Sequence, residues 1–181
     1  MKRRQFIKAS ILTSVTVGLG GGALWLSDEA DKSRLTINGV LATIDMLEKQ
    51  PLTTTGMWSL NQVLDHCAQS VEYSMSGFPK HKSDVFKSTI GKLAFSAFST
   101  KGKMLHALDE AIPGAPLIQA LEVDMLGKEQ AFIRLRRSLV AFQQYQGDLA
   151  PHFAYGMLSK ADYEQAHAMH FFNHMDEIKT I

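Results

Sequence analysis

Apolar positions in this chain recur every three to four residues, the spacing of helices that turn one face toward a core. Ile37, Leu41 and Ile44 fall at i, i+4 and i+7 and predict a helix over about Ser33 to Lys49, broken by Pro51 and the TTTG after it. A second helix has a marked start. Ser59 with Gln62 forms a capping-box pattern, and Trp58 and Val63 occupy the flanking hydrophobic-staple positions. Its stripe runs through Leu60, Val63, Leu64, Cys67 and Val71 and ends near Gly77 and Pro79. A third helix is expected from about Ser83 to Phe98, on Val85, Phe86, Ile90, Leu93 and Phe95. TKGKMLHALDEAIPGAP then reads as a long connection closed by Pro113-Gly114-Ala115-Pro116.

A fourth helix is expected over about Leu121 to Tyr145, with Phe132, Leu135, Leu139 and Phe142 on one side and Lys128, Arg134, Arg136 and Arg137 mostly off it. The last helix starts at Ser159, capped with Asp162 and stapled by Leu158 and Tyr163. No alternating apolar and polar run is long enough to compete as a strand. The pattern therefore predicts an all-α protein, an antiparallel four-helix bundle with an extra helix or a long connection.

The N-terminus departs from this pattern. MKRRQFIKAS is basic and free of acids, and ILTSVTVGLGGGALWL after it is weakly apolar and rich in glycine. A charged segment followed by a short apolar one marks an export signal, set aside from fold reasoning. Arg3-Arg4, Gln5, Phe6, Ile7 and Lys8 resemble the twin-arginine pattern R-R-x-F-x-K. A membrane anchor is the alternative, but Ile11 to Leu26 is sixteen residues, four of them glycine. A comfortable span takes about 20 predominantly apolar ones. The expected division is a signal at 1–27 and one helical domain at 28–181. No clean A-x-A precedes Ser27-Asp28, so a form tethered by an uncleaved signal stays open. The resemblance implies export through the twin-arginine translocase, already folded and often with a cofactor loaded, to the periplasm.

Setting residues 1–27 aside removes Lys2, Arg3, Arg4 and Lys8 and no acid, leaving 15 Lys+Arg against 18 Asp+Glu. A net charge near −3 lacks the basic excess of a nucleic-acid binder. About 154 residues remain, enough for one domain with a core of its own. Cys67, the lone cysteine, has no partner in the chain for a disulfide.

Candidate chemistry lies near the C-terminus, where HAMHFFNH holds three of the seven histidines. Helical residues at i, i+3, i+4 and i+7 share a face, so Tyr163, His167, His170, His174 and Ile178 are expected on one stripe. Phe172, Met169 and Asp176 then point the other way. Imidazoles on a core stripe are costly unless each finds a partner. His170 and His174, at i and i+4, can converge on one ion. Two ligands do not make a site, and a third must come from another helix. His66 in LDHCAQS, on the flank of the second helix's stripe, is the plausible source. His81, His106 and His152 fall in expected loops or their edges and are weak candidates. Glu164-x-x-His167 matches the motif of di-iron carboxylate bundles, but no other histidine has a glutamate three residues earlier, as a second such motif requires.

WSLNQVLDHCAQSVEYSMSGFP and PHFAYGMLSKADYEQAHAMHFFNHMDEI resemble the domain-of-unknown-function 1569 branch of the DinB/YfiT-like superfamily, over roughly Ser33 to Ile178. The W-x-L-x-x-x-L-x-H-C segment at Trp58 to Cys67 and the H-x-x-x-H at His170 to His174 carry the resemblance. It implies a four-helix bundle with a three-histidine metal site on His66, His170 and His174. Two stretches depart from the branch's pattern. Phe153 and Tyr155 replace Pro and Phe before the last helix, and Asn173 and Glu177 replace His and Gln within it.

Three neutral imidazoles leave a divalent ion its full charge and an open position, the donor set of a catalytic zinc site. Zinc is the expected ion; nickel, iron and manganese also suit imidazole. Glu177 and Tyr73 are candidates to orient the rings, and His167 is expected to be a core residue on the same face, with a proton carrier beside the metal as the alternative. The chemistry expected is a metal-dependent hydrolase or transferase of unknown substrate. Export counts against a thiol-dependent transferase, because those thiols are cytosolic. The alternative is a non-catalytic periplasmic binding or envelope protein with a structural metal or none, for which outward-facing Phe172 and Met169 would offer a homodimer surface.

Overall fold

The computed structural model describes residues 32–181, which fall within one compact unit. The expected signal at 1–27 lies outside the described residues. The fold is mostly helical, with one two-stranded antiparallel sheet.

Helix α1 spans Ile37–Leu47 and is capped by Thr36, whose side chain accepts from the Gly39 amide. It starts later than the apolar spacing suggests because Lys32 to Leu35 form a turn, closed by Leu35 N–H on the Lys32 carbonyl. Strand β1 is Leu52–Thr54. Helix α2, Leu60–Ser76, begins with the expected capping box, Ser59 and Gln62 each bonding the other's backbone. Buried residues lie on most of its circumference. It is the central helix of the fold.

The expected third helix is present with a fault. A turn of α-helix, α3 (Asp84–Phe86), runs into a π-helical stretch, Lys87–Gly91, and then into α4, Lys92–Lys101. A Cβ at Gly91 would stand 2.0 Å from the Ala154 carbonyl oxygen, so the widened turn and its glycine admit the backbone of the loop before the last helix.

The fourth helix is split. Gly127, at φ 83° and ψ 160°, separates α5 (Ala120–Leu126) from α6 (Lys128–Gln144). Side chains rarely adopt that backbone conformation, and glycine adopts it readily. The last helix, α7, spans Lys160–Met175 behind the Ser159/Asp162 capping box.

Two expectations fail at its end. The helix does not reach Ile178, and a strand exists: β2, Ile178–Thr180, pairs with β1 in the register Leu52↔Thr180, Thr53↔Lys179 and Thr54↔Ile178. Thr55 extends the pairing by donating its amide to the Glu177 carbonyl. Three-residue strands carry too little alternation to stand out in a sequence. The pairing buries Ile178, which leaves the histidine face to do so.

Helices α1, α2, α6 and α7 touch in a closed ring, α1 on α6 and α7, and α2 on α6 and α7. Ile37, Val40, Ile44, Leu64, Phe132, Leu135, Leu139, Phe142, Tyr163, Met169 and Phe171 fill the space between them. Met169 belongs to this core at 1 % exposure, which corrects its expected outward position. Phe172 is half-buried beneath the Arg34 guanidinium, 4.4 Å from the ring centre. Arg134 ties α6 to α2 through Asp65, 2.9 Å away, and a bidentate contact with Glu72. Cys67 is a free, buried thiol. No helix of the described residues is long and apolar enough to cross a membrane.

Candidate metal centre

Helix α2 presents His66, and α7 presents His170 and His174 one turn apart. The Nε2 atoms of His66 and His170 lie 3.1 Å apart, and those of His170 and His174 lie 3.2 Å apart. One ligand nitrogen from each of the three rings lies within 4.8 Å of both others. Tetrahedral coordination with Zn–N bonds of about 2.05 Å separates two nitrogens by about 3.3 Å, so the observed spacing is that of ligands around one ion. The rings meet edge to face at 69–73°, which aims their nitrogens inward rather than stacking their faces.

Burial keeps the three rings neutral. Burial first, and the nearness of the His106 ring second, hold His66 down to about 3. Burial, then His66 and His106, hold His174 down to about 2. His170 is pushed well below the usual histidine range by burial first and by its histidine neighbours second. A neutral imidazole with its hydrogen on Nδ1 presents the Nε2 lone pair, the state that binds metal.

The rings are not oriented as the sequence suggests. Nδ1 of His66 and Nδ1 of His174 are buried with no hydrogen-bond partner among the described residues, so neither Tyr73 nor Glu177 holds them. The Glu177 carboxylate lies against Gly56, where a Cβ would meet its oxygen at 2.1 Å, and Tyr73 packs on Phe78. Trp58 takes the outer side instead. Its ring meets His66 edge-on at 4.9 Å and stacks on His174 at 6.3 Å. A staple residue of α2 thus also walls the centre, a role its sequence position does not signal.

A cavity of about 240 Å³ reaches His66 and His170, lined among others by Met104, Ile112, Phe153 and Tyr155. Three histidines outside the triad line it too. His167 is buried, with Nε2 3.2 Å from the Ser74 hydroxyl and its ring against Phe142 and Tyr163, as a core residue should be. His152, expected in a loop, is buried there. Its Nδ1 accepts from the Ala154 and Tyr155 amides at 3.2 Å, and its ring stacks on Tyr155 at 4.3 Å. Burial holds His152 and His167 down to about 3 and pushes the Tyr155 hydroxyl up to about 12.

His106 is the residue that sequence reasoning missed. It rides on the connection between α4 and α5, yet its ring centre lies 4.8 Å from that of His170 and 5.0 Å from that of His174. Only its residue type signals this, because an irregular segment has no periodicity from which to infer a facing. His81 stands apart, exposed and edge-on to Phe78 at 6.5 Å.

A family model described as "Protein of unknown function (DUF1569)" matches residues 30–180. The chain belongs to that family. No curated protein and no solved structure matches it. The match covers α1 through β2, so the triad, the cavity and the histidine-bearing connection all lie in the DUF1569 region.

Proposed function

We propose that this DUF1569 protein is an exported, metal-dependent enzyme, a hydrolase before a transferase, acting on a small molecule in the cavity beside the triad. His66, His170 and His174 hold a divalent ion, zinc before nickel, iron or manganese. The convergence of three neutral imidazole nitrogens at 3.1 and 3.2 Å, beside a cavity, carries this reading. When bound, such an ion supplies a Lewis acid and a water ionising near pH 7 (pKa about 7). The chain's own part is to keep the three rings neutral, to shield their outer side with Trp58, and to offer a mostly apolar cavity to the substrate's body.

The closed ring of α1, α2, α6 and α7 supports reading the fold as a four-helix bundle of the DinB type, in which α3, the π stretch and α4 form the extra element. The Arg3-Arg4 motif supports export by the twin-arginine translocase to the periplasm. The absence of carboxylates from the ligand group suits hydrolytic chemistry, since the ion keeps its full charge.

The test compares hydrolysis of ester, amide and phosphoester panels by the protein as purified, after chelation, and after zinc is restored. Turnover that is lost and regained with zinc, and absent from His66→Ala, supports the enzyme. A fully metallated protein with no zinc-dependent turnover on any panel returns the site to a binding or structural role.

A further inference from the structure

We infer that His106 contacts the ligand of this centre: its Nε2 accepts a hydrogen bond from a protic group bound at the open side of the triad. The site then favours ligands that carry a donor beside the coordinating atom. This rests on the reading that the triad holds a metal.

Four observations converge. The His106 ring packs as close to His170 and His174, at 4.8 and 5.0 Å, as His66 does to His170, at 4.9 Å. Its Nδ1 lies 2.7 Å from the Ala107 carbonyl oxygen. A carbonyl only accepts, so Nδ1 carries the hydrogen and Nε2 of the neutral ring presents a bare lone pair. That Nε2 is buried with no hydrogen-bond partner among the described residues. A buried acceptor is most stable with a donor beside it, so this position suits a protic group of a ligand. Finally, His106 lines the same cavity as His66 and His170.

The position also distinguishes this role from ligation. The nitrogens that lie within 4.8 Å of one another belong to His66, His170 and His174, and His106 is outside that group. It stands beside the convergence point rather than on it. The connection that carries it also contributes Met104, Ile112 and Pro113 to the cavity wall, so one segment both encloses the ligand and supplies its acceptor.

The test uses the cobalt-loaded full chain and two probes that differ in one donor, acetohydroxamate, which has an N–H, and N-methylacetohydroxamate, which lacks it. Binding of each is followed by visible absorption. The expected wild-type result is a preference for acetohydroxamate that falls about threefold to tenfold in His106→Leu, the share of one hydrogen bond. Cobalt stays at one per chain, and His106→Gln, which keeps an acceptor at the Nε2 position, restores most of the preference. If His106→Leu does not fold, His106→Asn, whose amide stops short of that position, shows the same fall. An unchanged preference in the folded leucine or asparagine variant overturns the inference. So does a loss of cobalt from it, which would make His106 a fourth ligand. Wild-type protein that takes up no cobalt, or His66→Ala that takes up as much as wild type, defeats the metal reading itself.

Discussion

Acid should unfold the metal-free protein at a pH where carboxylates are still ionised. Four histidine rings, His66, His152, His167 and His174, are buried at 8 % exposure or less, and burial is the first cause holding each down to about 2 or 3. In the unfolded chain each titrates near its ordinary value of about 6.5. Between the two values the unfolded state binds more protons. Stability is therefore whole above pH 6.5 and lost as pH falls toward 3. From pH 6 to 5 an unfolded ring is about nine-tenths protonated, so each contributes a loss of ~1.2 kcal/mol, and four contribute ~5 kcal/mol. That is comparable to the whole stability of a small domain, roughly 5–15 kcal/mol. Urea denaturation in the presence of a chelator, at half-unit steps from pH 7.5 to 5, measures the slope. His167→Gln, which can keep the Ser74 contact, should lower the loss over that unit by ~1.2 kcal/mol. A midpoint that stays level from pH 7 to 5 would refute the claim that these rings are buried neutral.

Gly91→Ala places a Cβ 2.0 Å from the Ala154 carbonyl oxygen, so it should cost ~2 kcal/mol or more by thermal denaturation; an unchanged midpoint would mean the loop is not seated on the π turn. Arg134→Leu strips a nearly buried Asp65 carboxylate of its guanidinium partner. It should destabilise the fold by ~1–3 kcal/mol at pH 7, with Arg134→Lys between the two in urea midpoints. Arg3-Arg4→Lys-Lys should leave the protein in the cytoplasm on cell fractionation, and normal export would remove the twin-arginine assignment.

What the sequence conveyed tracks how local each signal is. Capping boxes at Ser59 and Ser159 mark α2 and α7 because their partners sit three residues away. His170 and His174 were legible as a pair for the same reason, one turn of one helix. His66 is signalled only by its helix flank and by resemblance, since the contact spans 104 residues. The failures are tertiary. The β1–β2 pairing joins segments about 125 residues apart through three-residue strands, too short to alternate visibly. Gly127 lies inside an otherwise helical pattern, although its backbone conformation ends one helix and starts the next. A helical wheel that places the histidines inward turns Met169 outward, whereas α7 is buried on both faces because α1 and α2 flank it. His106 and His152 lie in irregular segments, where position in the chain says nothing of position in space.

On the proposed reading, three imidazoles from two helices hold one metal ion. Titrating zinc into the chelator-stripped protein by calorimetry tests it most directly. One site per chain is predicted, lost in His66→Ala and in His170→Ala and kept in His167→Gln. No binding to the folded wild type, or the same binding in His66→Ala, would contradict it.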